Sequence, residues 1–202
     1  MKRSKEKITL SILLAAVLVV GIVGYMIYVQ RQFYTESTKN LLETYEQVDK
    51  TFTMFAQRNW NVLSEWGSNL QDDADGEAVR ASLCLFNQQK PTWKYSGLYL
   101  FNEDCTYLDA ESGHGSAKHI WGAFSEMYTT GHPCVGSYTM KNGERRVVFT
   151  VPIEPVKVDG ETYTCIAVSY DNETLEEMIG GHAYNGQSDC YIIYPGLDLT
   201  LR

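Results

Sequence analysis

The chain has 202 residues, 44% of them hydrophobic and 21% charged. That balance excludes a disordered polymer and, with a membrane segment set aside, leaves enough chain for one domain with a real core. The net charge is −8; residues 1–31 contribute +4, so the rest carries −12, which repels nucleic acid and anionic headgroups but by itself names no ligand.

Residues 1–7 form a basic tail with Lys2, Arg3, Lys5 and Lys7. Residues 8–30 carry no charge and at 1.5 Å per residue reach about 35 Å, enough to cross a hydrocarbon core with some tilt. Tyr25 and Tyr28 stand near the far end, where amphipathic rings favour the membrane interface. Basic residues precede the segment, so the positive-inside rule puts the N-terminus in the cytoplasm and the rest outside. The run is too long for a signal-peptide core and no small-residue cleavage site follows it, so an uncleaved anchor is expected.

From Phe33 to Leu70 the pattern is helical. Tyr34, Thr38, Leu41, Tyr45, Val48, Phe52, Phe55, Asn59, Val62 and Trp66 repeat at spacings of three and four with no proline, predicting a helix about 57 Å long. The repeat permits a dimeric coiled coil. The same stripe, with its bulky aromatics and an Asn, also fits packing on the domain's own sheet. Asp72–Gly76 ends this helix, and Asp75 can cap a second one running to about Gln89.

Strand signals then dominate. Tyr95–Asn102 and Thr106–Ala110 predict a hairpin, Ser112–Gly115 a loop, and Ala117–Tyr128 a helical or irregular cover. Val135–Met140 and Arg145–Ile153 flank Asn142-Gly143, the strongest short hairpin signal. Glu161–Tyr170 is a further strand, and Asp171 or Asn172 can cap a helix to Ile179. Asp189–Tyr194 and Leu197–Leu201 predict one more hairpin, marginal alone and read as the opening of a second module at 183–202.

Five cysteines are present, with no CxxC pair. This disfavours a zinc ribbon or thioredoxin-type site and leaves both buried thiols and one or two disulfides open. His114 and His119 lie five apart beside Asp109 and Glu111, not a recognised metal-ligand spacing. There is no GxSxG or P-loop. No metal, cofactor or catalytic group is expected.

The segments RNWNVLSEWG (58–67), VVFTVPIEPV (147–156), AVSYDNETLEEMI (167–179) and CYIIYPG (190–196), in that order, resemble the extracytoplasmic Cache (PAS-like) sensor regions of bacterial membrane-bound hybrid sensor histidine kinases and diguanylate cyclases. The resemblance implies an α+β fold in which the transmembrane helix continues into a long helix packed on a five-stranded antiparallel sheet. It further implies a Cache-like sensor domain over 31–182, a truncated double-Cache arrangement, and a small-ligand input role in a receptor of sensor histidine kinase type. The sequence holds no kinase or cyclase signature, so the output domain is expected elsewhere. The competing reading is a membrane-anchored scaffold module that binds protein and no small molecule.

Alternation supplies the candidate site. Leu98 and Leu100 share a face suited to the long helix, which turns Tyr95, Tyr99 and Phe101 the other way. Tyr107 and Asp109 continue that second face, Trp121 sits in the cover, and Tyr138, Arg146 and Tyr170 complete it. Aromatic walls with a few placed polar groups suit a small ligand. Arg146 is expected to take a carboxylate and Asp109 an amine; Asp171 is read as a helix cap.

Overall fold

The computed structural model describes residues 2–70, 76–118, 122, 124–140, 142–179, 190–194 and 197–201. Chain contacts divide the protein into two units, Met1–Gln47 and Val48–Arg202.

The first unit is helical, the opening part of α1 (Lys2–Ser68). Among the described residues one helix is long and apolar enough to cross a membrane; its most apolar stretch has a mean hydropathy of 2.7 and none of it is buried. Phe33, Tyr34, Leu41, Leu42 and Tyr45, beyond that stretch, are exposed.

The second unit is an antiparallel sheet with helices on it. Its strands are β1 (Gly97–Phe101), β2 (Thr106–Asp109), β3 (Gly113–Ser116), β4 (Cys134–Thr139), β5 (Arg145–Val158) and β6 (Glu161–Asp171). The spatial order is β3-β2-β1-β6-β5-β4, so the sheet has six strands and not the five expected. The additional one is β3, Gly-His-Gly-Ser, expected as loop. Two glycines give it no alternating apolar signal, yet Thr106 to Asp109 pair with Ser116 to Gly113 in register. β5 also runs past Ile153, where prolines 152 and 155 argue for a stop. The strand accommodates them by slipping register between Pro152 and Val156 and then pairing again, as a bulge does.

One face of the sheet packs on α1. Phe52, Ala56, Asn59, Leu63, Trp66 and Leu70 are buried, at spacings of three and four that keep one stripe inward. Val48, Phe52, Asn59 and Trp66 of the predicted stripe are among the buried residues, and Phe55 and Val62 flank them. They meet Leu98, Leu100, Leu108, Val147, Phe149, Val151, Ile166 and Val168, alternate residues of β1, β2, β5 and β6 that share a face by register. Trp60 Nε1 donates to the carbonyl of Cys134 at 3.3 Å, tying α1 to β4.

α2 (Glu77–Asn87) adds Val79 and Leu83 to this core, and α5 (Asn172–Ile179) adds Leu175 and Ile179. Gly76, at the N-cap of α2, has φ 71 and lies so close to β5 that a Cβ would come 2.9 Å from Val158 Cα; only glycine fits that approach. α3 (Lys90–Trp93) is a single turn carrying Pro91 near its start, where the missing N–H costs nothing. The far face is covered in part by α4 (Ser125–Thr130). β7 (Cys190–Tyr194) and β8 (Leu197–Leu201) pair only with each other, as a separate two-stranded sheet. Cys84, Cys105, Cys134 and Cys165 are free thiols.

Candidate functional site

Register decides which candidate residues share a surface. Tyr99 lies opposite Asp109 and Ala167, Phe101 opposite Tyr107 and Cys165, and Tyr138 opposite Arg146. Phe101, Phe124, Met127, Cys134, Val148, Cys165 and Ala167 make a second core on this far face, with Tyr99, Tyr107 and Tyr138 partly buried against it. The aromatic rings form one connected patch. Tyr99 meets Tyr107 edge-on at 5.6 Å, Phe101 meets Phe124 at 4.2 Å, and Phe124 meets Tyr138 at 6.4 Å.

Tyr99 lies along its strand with its ring over Gly97, where any Cβ would collide with the phenol. Burial, then the Tyr138 phenol beside it, push Tyr99 up to about 12; it is a neutral donor, with the Ser169 hydroxyl next to it.

Arg146 is positioned by the β4–β5 hairpin. Met140 N donates to the Glu144 carbonyl at 2.7 Å and Gly143 N to that of Met140 at 2.9 Å, closing the turn. Asn142 Oδ1 accepts from Glu144 N at 3.1 Å. This places Glu144 Oε1 to accept from Arg146 Nε at 2.8 Å, while Oε2 accepts from Asn142 Nδ2 at 3.2 Å. The Arg146 hydrogen bond, then that of Asn142, hold the Glu144 carboxyl below its usual range. Burial pulls Arg146 down, but Glu144 and the neighbouring phenols outweigh it and keep the guanidinium charged. A cavity of about 320 Å³ opens here, lined by Ser137, Tyr138, Thr139, Arg145, Arg146, Val147 and Asn172. A larger apolar groove of about 890 Å³ is lined by Tyr25 to Leu41 of α1 alone and contains no titrating side chain other than tyrosine.

Two candidates lie elsewhere. Tyr170 is fully buried on the α1 side, its hydroxyl donating to Asn59 Oδ1 at 2.8 Å and its ring edge-on to Phe55 at 5.2 Å. It stands opposite Val147, one residue out of phase with the far face, so a strand with both faces buried gave no polarity to choose by. Tyr95 likewise belongs to the α1 core, edge-on to Trp66 at 6.3 Å and donating to the Phe86 carbonyl at 3.0 Å; it precedes β1, so strand alternation does not govern it. Asp109 is at the predicted place, but its Oδ1 accepts from the backbone N–H groups of Glu111 at 2.6 Å and Ser112 at 3.0 Å, shaping the β2–β3 turn. Asp171 caps α5, accepting from Thr174 N at 2.7 Å, and accepts from Ser96 Oγ at 3.1 Å. Trp121 and His119 lie outside the described residues. No group of three or more His, Cys, Asp or Glu is placed to hold a metal among the described residues.

Glu144, Ser137, Thr139, Arg145 and Asn172 join the site unforeseen. Strict alternation would admit only one of Arg145 and Arg146. At the end of the sheet, beside the first turn of α5, both border the cavity.

A helix stripe thus packs on one face of an antiparallel sheet, and an aromatic and arginine-bearing surface lies on the other. The fold is that of the Cache-type ligand-binding sensory regions. The ligand-binding domain of the Campylobacter jejuni chemoreceptor Tlp3 in complex with L-norvaline is similar at a TM-score of 0.54 and 15% identity, over 72% of this chain and 62% of that one. The sensory domain of the same chemoreceptor with isoleucine bound gives 0.53 and 15%, over 72% and 64%. The chain thus spans a little under two-thirds of the length of the domains it matches. No family model and no curated protein matches the sequence.

Proposed function

We propose that this chain is the extracytoplasmic small-ligand input region of a transmembrane signalling receptor of the sensor histidine kinase type. The observation that carries the reading is the opposed pair Tyr138–Arg146, with a charged guanidinium at the rim of a cavity of about 320 Å³, near the lower end of ordinary ligand-pocket volumes. The ligand is a small organic acid or amino acid whose carboxylate takes Arg146 in a charge-assisted pair. Tyr138 lines the cavity, and Tyr99, Tyr107 and Phe101 continue its aromatic surface across the sheet. Trp121 is assigned to the cover by its sequence position. Asp109 supports the hairpin at the rim with Oδ1, leaving Oδ2 as the oxygen for an amine. Tyr170 reports the state of the sheet to α1.

Placement outside the cytoplasm rests on the basic residues that precede the apolar segment. Self-association through α1 is supported by the exposed apolar side chains at 33–45, and the separate β7–β8 sheet supports a second module at 183–202. Binding acts by favouring one of two arrangements of the sheet on residues 48–68 of α1, by as much as the ligand's affinity differs between them.

The test is thermal unfolding of the full chain in lipid nanodiscs against a library of amino acids and small carboxylates. A ligand at a hundred times its dissociation constant adds about 2.7 kcal/mol, which raises Tm by roughly 5–10 °C for a domain of this size. Arg146→Ala abolishes the shift, and Arg146→Lys restores little of it because a lysine lacks the planar fork. No stabilising compound, or one whose effect survives Arg146→Ala, ends the proposal.

A further inference from the structure

The cavity at the end of the β4–β5 ladder is bordered by residues of both phases of the sheet, and register separates them. Val147 is buried in the core that packs on α1. Ser137 stands opposite Val147, and Thr139 opposite Arg145 two residues along. By alternation Ser137, Thr139 and Arg145 therefore belong to the helix-facing side. Tyr138 and Arg146, opposed to each other, have the other phase. Asn172, which also lines the cavity, opens α5, and Leu175 and Ile179 of that helix are buried in the same core as Val147.

The two arginines differ in how their charge is met. Arg146 donates through Nε to Glu144 Oε1 at 2.8 Å and forms a neutral pair with it. Arg145 is exposed and has no ion pair among the described residues. No carboxylate lines the cavity, and those on the flanking elements are engaged: Glu144 by Arg146 and Asn142, and Asp171 by Thr174 N at 2.7 Å and Ser96 Oγ at 3.1 Å. The Ser137 and Thr139 hydroxyls make no hydrogen bond among the described residues. An anion at Arg145 thus meets a guanidinium whose donors are unspent, whereas at Arg146 it competes with Glu144. A planar carboxylate offers two oxygens to the arginine fork. A tetrahedral oxyanion offers further oxygens out of that plane, the kind of acceptor that hydroxyls on separate residues of β4 suit.

We infer that Arg145, Ser137 and Thr139 form a second anion subsite in this cavity, which takes a small tetrahedral oxyanion: phosphate, as the free ion or as the end of a small ester. The Arg145 fork pairs with two of its oxygens and the two hydroxyls donate to the others. The subsite goes beyond the function proposed above, since it neither uses Arg146 nor requires a carboxylate. Its place gives it a route to α1. Val147, which lines the cavity, stands opposite Tyr170 on β6, and the Tyr170 hydroxyl donates to Asn59 Oδ1 on α1 at 2.8 Å. An anion held by Arg145 is therefore bound on the side of the sheet that carries the helix.

The probe is inorganic phosphate, titrated into the full chain in nanodiscs of zwitterionic lipid at a constant ionic strength of about 0.15 M, so that screening does not change. Binding is read by isothermal titration calorimetry and by Tm. At about ten times its dissociation constant, phosphate should raise Tm by roughly 3–6 °C. Arg145→Gln should weaken binding about tenfold or more, and Ser137→Ala and Thr139→Ala about threefold each, with near-ultraviolet circular dichroism unchanged. Arg146→Gln should alter it by less than about threefold, the scale of a screened neighbouring charge. Methyl phosphate binding more tightly than inorganic phosphate identifies an ester as the ligand, and weaker binding identifies the free ion; either supports the subsite. No saturable phosphate binding in the millimolar range, acetate bound as tightly as phosphate, or binding that survives Arg145→Gln overturns the inference. Each of these results leaves the carboxylate reading standing, because its own marker is the loss of stabilisation in Arg146→Ala.

Discussion

The Asn59–Tyr170 hydrogen bond offers a sharp test of how α1 is fastened to the sheet. Both side chains are buried, at 3% and 0% exposure; Asn59 Oδ1 accepts from the phenol at 2.8 Å while its Nδ2 donates to the Phe55 carbonyl at 2.9 Å. Asn59→Leu keeps the volume but strands a phenol where no water can reach it. A buried polar group left unpaired costs about 1–3 kcal/mol, whereas replacing both partners with apolar groups of similar shape is nearly neutral. Tyr170→Phe should cost about 1 kcal/mol, since Asn59 keeps its bond to Phe55. At roughly 2–4 °C per kcal/mol for a domain of this size, Asn59→Leu should lower Tm by about 4–8 °C and Tyr170→Phe by about 2–4 °C. The double variant should recover most of the loss, because neither group then lacks a partner. Thermal melts of the full chain in nanodiscs, read by near-ultraviolet circular dichroism, complete the cycle. Losses that simply add in the double variant would mean the two side chains do not interact, and the argument that Tyr170 belongs to the helix–sheet joint would fall with them.

Acid sensitivity and thiol reactivity supply two further checks. Burial raises Asp171, but the hydrogen bonds from Thr174 and Ser96 outweigh it and hold the carboxyl below its usual value; its stabilising effect is therefore present above the unfolded carboxyl's pKa of about 4 and lost as pH falls through the lower folded value. Asp171→Ala should cost about 1 kcal/mol at pH 7 and flatten the acid limb of a Tm-against-pH curve below about pH 4; an unchanged limb would refute this. Cys84 is exposed, whereas Cys165 is fully buried and its thiol is pushed up by desolvation. A membrane-impermeant maleimide should label Cys84 on intact cells, and mass mapping should find Cys165 labelled only after unfolding. Cys84 that reacts only after lysis would place the domain in the cytosol.

Much of the fold was legible because both kinds of period are present. Spacings of three and four in residues 52–70 report the helix stripe, and Leu98, Leu100 and Leu108 report the core face of β1 and β2, since each such residue buries apolar area against α1. The Asn142-Gly143 signal marks the β4–β5 hairpin and so puts Tyr138 and Arg146 on neighbouring strands, but their direct pairing follows from the three-residue loop closed by Met140 and Glu144, which the sequence does not reveal. Where the pattern is silent the reading failed. β3 has no apolar side chain, so only its pairing with β2 declares it a strand. β6 is buried on both faces from Cys165 to Tyr170, and an unbroken apolar run carries no phase, so Tyr170 was set on the wrong face. Asp109 was placed on the intended surface, but which backbone N–H groups its carboxylate would meet depends on turn geometry two residues ahead.

These failures share a physical cause that bears on function. The far face, unlike the α1 face, mixes tyrosine, arginine and small residues over a core of only moderate size. On the function proposed above, a surface open to a polar guest is not uniformly hydrophobic, and its periodic signal is weak for that reason. The α1 face has the opposite constraint. It must bury a continuous stripe to hold the helix, and its residues accordingly report themselves at each turn. The face that packs on α1 is thus simple in sequence and the opposite face irregular, and the hydrogen bonds around Arg146 lie on the irregular side, where, on the function proposed above, substitutions should alter response more than they alter folding.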